Sequence, residues 1–222
     1  AIHNFPYARG ELPVDSNCER IEVALREIET KTDRVTWTRY TEMVFLAIHA
    51  IHEHPCDFMA GIFHDLELDD IGQSFTPWDV SRLMVELQLG DLDLPALVEK
   101  QGVITVADHA CGAGGLLLAF AQLAQESGID PRTKIIFDAL DVDRRCFNMT
   151  YFQLQAANLM ADVHHGNTIA WQFKEHRQTA FRSHFNRINR DYLFQEALEK
   201  STALLAGGRV KVDFVLEPIQ LN

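Results

Sequence analysis

The chain has 222 residues, 47% of them hydrophobic, and a formal net charge of −12, which provides the core of one domain, or of one domain with a helical extension, and leaves little for a second. The acidic balance argues against a free-standing nucleic-acid binder, because phosphate binding is driven largely by Lys and Arg releasing counterions. No apolar run approaches the ~20 residues that span a bilayer, and Ala1 to Pro6 lacks a basic stretch followed by an apolar one, so a soluble, cytoplasmic protein is expected.

In chain order, residues 1–17 carry Pro6, Gly10 and Pro13 and read as an irregular lead-in. Ile21, Leu25 and Ile28 then fall at helical spacing, which predicts a helix from Asn17, its N-cap, to Thr30. A second helix is expected over Trp37 to His54, with Trp37, Tyr40, Met43, Val44, Leu46, Ala47 and Ile51 as its apolar stripe, ending before Pro55. His49, His52 and His54 on this helix have no matching carboxylate pattern and are read as structural or exposed. A short helix over Asp57 to Leu66 would turn Phe58, Ile62 and Leu66 inward. Residues 1–70 are thus taken as a helical segment, and 71–222 as a second unit. Within it, Gly72 to Pro77 lead into a helix over Trp78 to Leu87, Gly90 to Asp93 break the chain, and Leu94 to Lys100 make a short segment.

The centre of the sequence is Val103 to Ala107, a β-branched strand closed by Asp108, then the glycine-rich turn His109-Ala110-Cys111-Gly112-Ala113-Gly114-Gly115 and an apolar helix to Ser127. Such a turn lets a ligand lie against the main chain at the free N–H groups of the next helix. Alone, it is equally a tight connection that binds nothing. A second strand, Ile135 to Leu140, ends at Asp141-Val142-Asp143. A helix to about Leu159 carries Phe147, Tyr151, Leu154 and Ala157, and Val163 to His165 form a third strand closing at Gly166-Asn167-Thr168. Strand, helix, strand, helix, strand implies parallel pairing with right-handed crossovers, which brings the three strand-end loops to one edge. Asp141 has two acceptor oxygens for a pair of ribose hydroxyls, and the Asn167 amide suits the edge of a base. Taken singly, either is more often a cap or a turn former.

One basic run, Lys174 to Arg190, carries one Lys, four Arg and two His against a single Glu, with Phe181 and Phe185 interleaved. It suits a phosphate backbone or an acidic partner, and more simply a solvated helix face. Cys18, Cys56, Cys111 and Cys146 form no CxxC pair, so buried reduced thiols are expected and neither a zinc site nor a disulfide framework is indicated.

Gly72-Gln73-Ser74-Phe75-Thr76-Pro77 resembles the Gly-Gln-Phe-Phe-Thr-Pro segment of the adenine-N6 DNA methyltransferases found in type I restriction-modification systems. Asp108-His109-Ala110-Cys111-Gly112-Ala113-Gly114-Gly115 resembles the Asp-Pro-Ala-Cys-Gly-Ser-Gly-Gly loop of the same family. The likeness extends more loosely through Asp141-Val142-Asp143 and Gly166-Asn167-Thr168. It implies an α/β fold, a Rossmann-like S-adenosylmethionine-dependent methyltransferase sheet with an N-terminal helical extension. It further implies that Phe75, Thr76 and Pro77 line the methionine end of the cofactor, and that Asp108 and Gly112 hold its amino-acid moiety within the turn formed by Ala110, Cys111 and Gly114. Asp141, followed by Val142, would meet the ribose, and Asn167 the adenine edge.

His109 stands in place of the usual proline, Ser74 in place of an aromatic, and Asn167 where an acid is common. The Asn-Pro-Pro-Phe or Asp-Pro-Pro-Tyr tetrapeptide that holds the target amine and stacks on the flipped base is missing. Either Glu217-Pro218-Ile219 is a degenerate form of it, or Tyr192 to Leu205 is a late helix stopped by Gly207-Gly208 before a strand over Arg209 to Leu216. The second arrangement is the commoner ending of this fold class, and no catalytic residue is assigned. The expected function is S-adenosylmethionine binding and, if the protein is active, metal-free methyl transfer to adenine N6 in DNA. DNA would be met through the basic run or a partner specificity subunit. The alternatives are a catalytically degenerate interaction or regulatory module, as on a mobile element, and a methyltransferase with a non-DNA acceptor.

Overall fold

The computed structural model describes residues 16–53, 56–65, 75–170 and 172–189. The readings of residues 1–15, His54, Leu66, Gly72-Gln73-Ser74, Arg190, Tyr192 to Leu205, Gly207-Gly208, Arg209 to Leu216 and Glu217-Pro218-Ile219 lie outside them. Five helices come first: α1 (Ser16–Lys31), α2 (Arg34–Glu53), α3 (Phe58–Asp65), α4 (Trp78–Leu89) and α5 (Leu94–Gln101). There follow β1 (Ile104–Asp108), α6 (Gly115–Glu126), α7 (Pro131–Lys134), β2 (Ile135–Asp141), α8 (Arg144–Ala156), β3 (Met160–Asn167), β4 (Gln172–Gln178) and α9 (Ala180–Ile188). No described helix is long and apolar enough to cross a membrane.

The starts of these elements follow from short polar caps. Asp93 accepts from Ala96 N–H at 2.9 Å ahead of Leu94-Pro95, and Asp143 accepts from Arg145 N–H at 2.6 Å at the start of α8. Each satisfies a donor that a helix cannot satisfy internally.

The four strands of the described sheet lie in the order β1-β2-β3-β4, with β1, β2 and β3 parallel and β4 antiparallel to β3. Parallel neighbours in chain order, joined by right-handed crossovers, put α6 and α8 on the same face. That face holds the main core, in which Phe137 of β2 and Val163 of β3 pack with Leu117 and Leu118 of α6 and Phe147 and Leu154 of α8. The opposite face starts one residue out of phase: Ile136 and Met160 pack with Phe181 and Phe185 of α9.

Three expectations need correction. The third strand spans eight residues rather than the three of Val163 to His165. The basic run is not one helix face: its first part is β4, an edge strand without apolar alternation, and only Ala180–Ile188 is helical. In α2 only Ile51 is buried, while Tyr40, Met43 and Leu46 are exposed. That helix reaches the core through Ile48 and Ile51 near its C-terminal end, so the periodic stripe records an apolar surface rather than a buried one.

Candidate functional site

The three loops after β1, β2 and β3 do meet. Cys111 N–H donates to Leu140 O at 3.1 Å, Gly112 N–H donates to Asp141 Oδ2 at 2.9 Å, and the Thr168 hydroxyl donates to His109 O. The glycine turn is bent back by positive φ at Gly112 (56°) and Gly114 (95°), conformations that favour a residue without Cβ. At Gly114 a Cβ would also stand 3.2 Å from Thr150 Cγ2. The turn is pinned from α8: the Thr150 hydroxyl donates to Gly112 O at 2.8 Å, and the Gln153 amide donates to Ala113 O at 2.7 Å.

Asp108 closes β1 with an uneven use of its carboxylate. Oδ1 accepts from Ala110 N–H at 3.1 Å, whereas Oδ2 is buried with no hydrogen-bond partner among the described residues. Burial raises its pKa, the Ala110 N–H opposes that rise, and the nearby Asp141 charge adds to it. An acid so placed favours a ligand that brings positive charge and N–H donors. Asp141 is half-buried, and both its oxygens are engaged, Oδ2 with Gly112 N–H and Oδ1 with Asp143 N–H at 2.8 Å. It therefore ties the first loop to the second, and each oxygen keeps a lone pair for a further donor.

The other residues singled out from the sequence occupy different positions. Phe75 packs with Ala113 and Met149, meets Phe63 edge-on with ring centroids 6.0 Å apart, and lies 3.6 Å from where a Cβ on Gly112 would be. Thr76 and Pro77 are exposed beside it, Pro77 at the N-cap of α4. Val142 projects from the second loop, 60% exposed, and its carbonyl is 3.1 Å from His165 Nε2. Asn167 is exposed and its amide oxygen accepts from Ala170 N–H at 2.9 Å, the role of a turn former. Ala110 is exposed. Cys111 and Cys146 are buried thiols, as expected; burial pushes the Cys146 pKa up to about 12 and raises that of Cys111 as well, so neither is a nucleophile near neutral pH.

Two residues to which the sequence reading gave no site role tie the glycine turn to α3. Gln153 is completely buried, and Asp57, at the start of α3, accepts from its amide at 2.9 Å. The available signal was position: Cys146, Met149, Thr150 and Gln153 recur at helical spacing on the face of α8 turned to the glycine loop, and polar groups there need backbone partners.

The basic run is largely engaged within the fold. The Arg177 guanidinium lies 4.7 Å from the Phe147 ring centre and 2.6 Å from Glu175, and Arg182 is 2.6 Å from Asp162. Among the described residues no cluster of His, Cys, Asp and Glu suits a metal ion.

Comparison with curated proteins gave no match, and neither did comparison with solved structures. A protein-family model described as N-6 DNA Methylase matches residues 58–189, from the first residue of α3 to the C-cap of α9. The matched stretch is more than half of the chain and contains every element that builds the three-loop edge, so the chain belongs to the N-6 DNA methylase family.

Proposed function

We propose that the protein binds S-adenosylmethionine along the edge formed by the three loops, on a Rossmann-like methyltransferase sheet, and serves methyl transfer to adenine N6 in DNA. The observation that carries this reading is the buried, unpartnered Asp108 Oδ2 beside the glycine turn. The donor set fits the cofactor's charge. Asp108 would take the ammonium of the methionine moiety, the main chain of the turn at Gly112 and Gly114 would lie beside it, and Phe75, against Gly112, would wall the same end with apolar surface beside Thr76 and Pro77. Asp141 would accept from the ribose with its remaining lone pairs, Val142 would cover the base, and Asn167 would meet the base edge through its amide N–H. When bound, the cofactor supplies a methyl group on a positively charged sulfur. The protein's contribution is to position and desolvate the two reactants for an in-line displacement.

Residues 71–222 would then form the cofactor-binding unit, and the basic run or a partner specificity subunit would bring the DNA. Exposed Lys174 suits that role better than Arg177 and Arg182, whose charges are met internally. The test is transfer of labelled methyl from S-adenosylmethionine to adenine-containing DNA, with and without candidate specificity subunits. Label in adenine N6 supports the reading. A second reading, a cofactor-binding module that has lost turnover, is favoured by the lack of an Asn-Pro-Pro-aromatic tetrapeptide in residues 1–222. It predicts saturable binding with no label in DNA under any pairing.

A further inference from the structure

Gln153 sits in α8 with no exposed surface, and its side-chain hydrogen bonds go to two other segments. Its Nε2 donates to Ala113 O at 2.7 Å, in the glycine turn, and to Asp57 Oδ1 at 2.9 Å. Its Oε1 accepts from Met59 N–H, in the first turn of α3, at 2.9 Å. Asp57 Oδ1 also accepts from Ala60 N–H at 3.0 Å, so Asp57 and Gln153 together satisfy the open end of α3. The other carboxylate oxygen of Asp57 lies against Gly115, where a Cβ would be only 2.6 Å away.

The consequence reaches the proposed ligand wall. Phe75 is held on one side by Phe63 of α3 and on the other by the turn at Gly112, so the distance between α3 and the turn sets the position of the Phe75 ring. Gln153 spans that distance. A buried amide satisfied on all three counts is costly to replace and fixes one geometry. We propose that Gln153, with Asp57, is a positioning pair that sets the spacing between the glycine turn and the α3–Phe75 wall, and through that spacing the affinity for S-adenosylmethionine. This rests on the cofactor reading above.

The chemistry supplies a sharp test, because a carboxyl in place of the amide must carry a proton to donate to Ala113 O or Asp57. The titratable and charged groups on the packed elements include Cys56 and Asp57 before α3, Arg144, Arg145, Cys146 and Tyr151 on α8, and Asp108, His109, Cys111 and Asp141 around the turn. Burial already raises the pKa of Asp57, so a second carboxyl beside it is proton-bound in acid and repelled in alkali. S-adenosylmethionine affinity is measured by calorimetry on the full chain between about pH 5.5 and 8, for the wild type, Gln153→Glu and the double substitution Gln153→Glu with Asp57→Asn. Circular dichroism at each pH verifies folding.

The expected result is that Gln153→Glu binds close to wild type at the acid end and loses about tenfold to a hundredfold relative to it at the alkaline end. The double substitution should flatten most of that difference. Parallel pH profiles for wild type and Gln153→Glu overturn the proposal, as does a double substitution that keeps the full dependence. Where the wild type itself binds no cofactor, the function proposal fails, and the clamp is judged by amide hydrogen exchange at matched pH. Faster exchange over residues 112–116 and 58–61 in Gln153→Glu at the alkaline end, with β2 unchanged, supports it. Exchange equal to wild type overturns it.

Discussion

Among the described residues Asp108 Oδ2 is a buried acceptor with no donor, which costs stability unless a further donor completes it. Because burial raises the folded-state pKa of Asp108, the folded protein holds its proton more readily than the unfolded chain. Its contribution is therefore fully present below the unfolded pKa and lost as pH rises through the folded one. Asp108→Asn should accordingly raise the melting temperature at about pH 8 while weakening S-adenosylmethionine binding by about tenfold or more; a lower melting temperature with unchanged binding contradicts this account. Gly115→Ala forces a Cβ to within 2.6 Å of Asp57 Oδ2, so a loss of about 1–3 kcal/mol in denaturant unfolding is expected. Asp108, the glycines and Asp141 were legible in the sequence because each ends or bends an element, whereas Gln153 and Asp57 were not. Their roles depend on contacts between segments far apart in the chain, here Gln153 to Met59 and Ala113.

Elements were legible where burial imposes a period. β1 and β2 are apolar, β-branched segments next to turn residues, and they lie within a residue of their expected limits. β4 reads Gln-Phe-Lys-Glu-His-Arg-Gln, with no apolar alternation; it is held by its ladder to β3 and by the turn at Thr179. That hydroxyl accepts from Ala161 N–H at 2.9 Å and donates to Leu159 O at 2.6 Å. Charge also misled, since Arg177 packs against Phe147 and Tyr151 and is held by Glu175. Arg177→Ala should therefore cost about 1–3 kcal/mol in stability and exposed Lys174→Ala less than about 0.5 kcal/mol, by urea unfolding. In Asp162, burial pushes the pKa up, but hydrogen bonds from His176, Arg182 and Gln178, with the Arg182 charge, outweigh it and hold the carboxyl well below the usual range. Its stabilisation is present above the unfolded pKa and lost as pH falls through the folded one. Asp162→Asn should therefore lower stability at neutral pH and flatten the acid limb of the stability profile below about pH 4. An unchanged acid limb would show that the β3–β4–α9 network does not carry this charge.

At the scale of the molecule, three parallel strands in chain order bring three loops to one edge, and hydrogen bonds between the loops make that edge one site. The α3 segment and Phe75 pack against it from outside the sheet, and the family match includes both. If the proposed cofactor binds there, it ties binding to stability, because a ligand bound only by the folded state stabilises it by about 2.7 kcal/mol at a hundred times its Kd. The measurement that bears most directly on the central claim is calorimetric titration of the full chain with S-adenosylmethionine, beside Asp108→Asn. The account predicts one saturable site with a Kd on the order of micromolar, weakened by about tenfold or more in the variant. No heat up to about 1 mM ligand, or equal binding by both proteins, would contradict it.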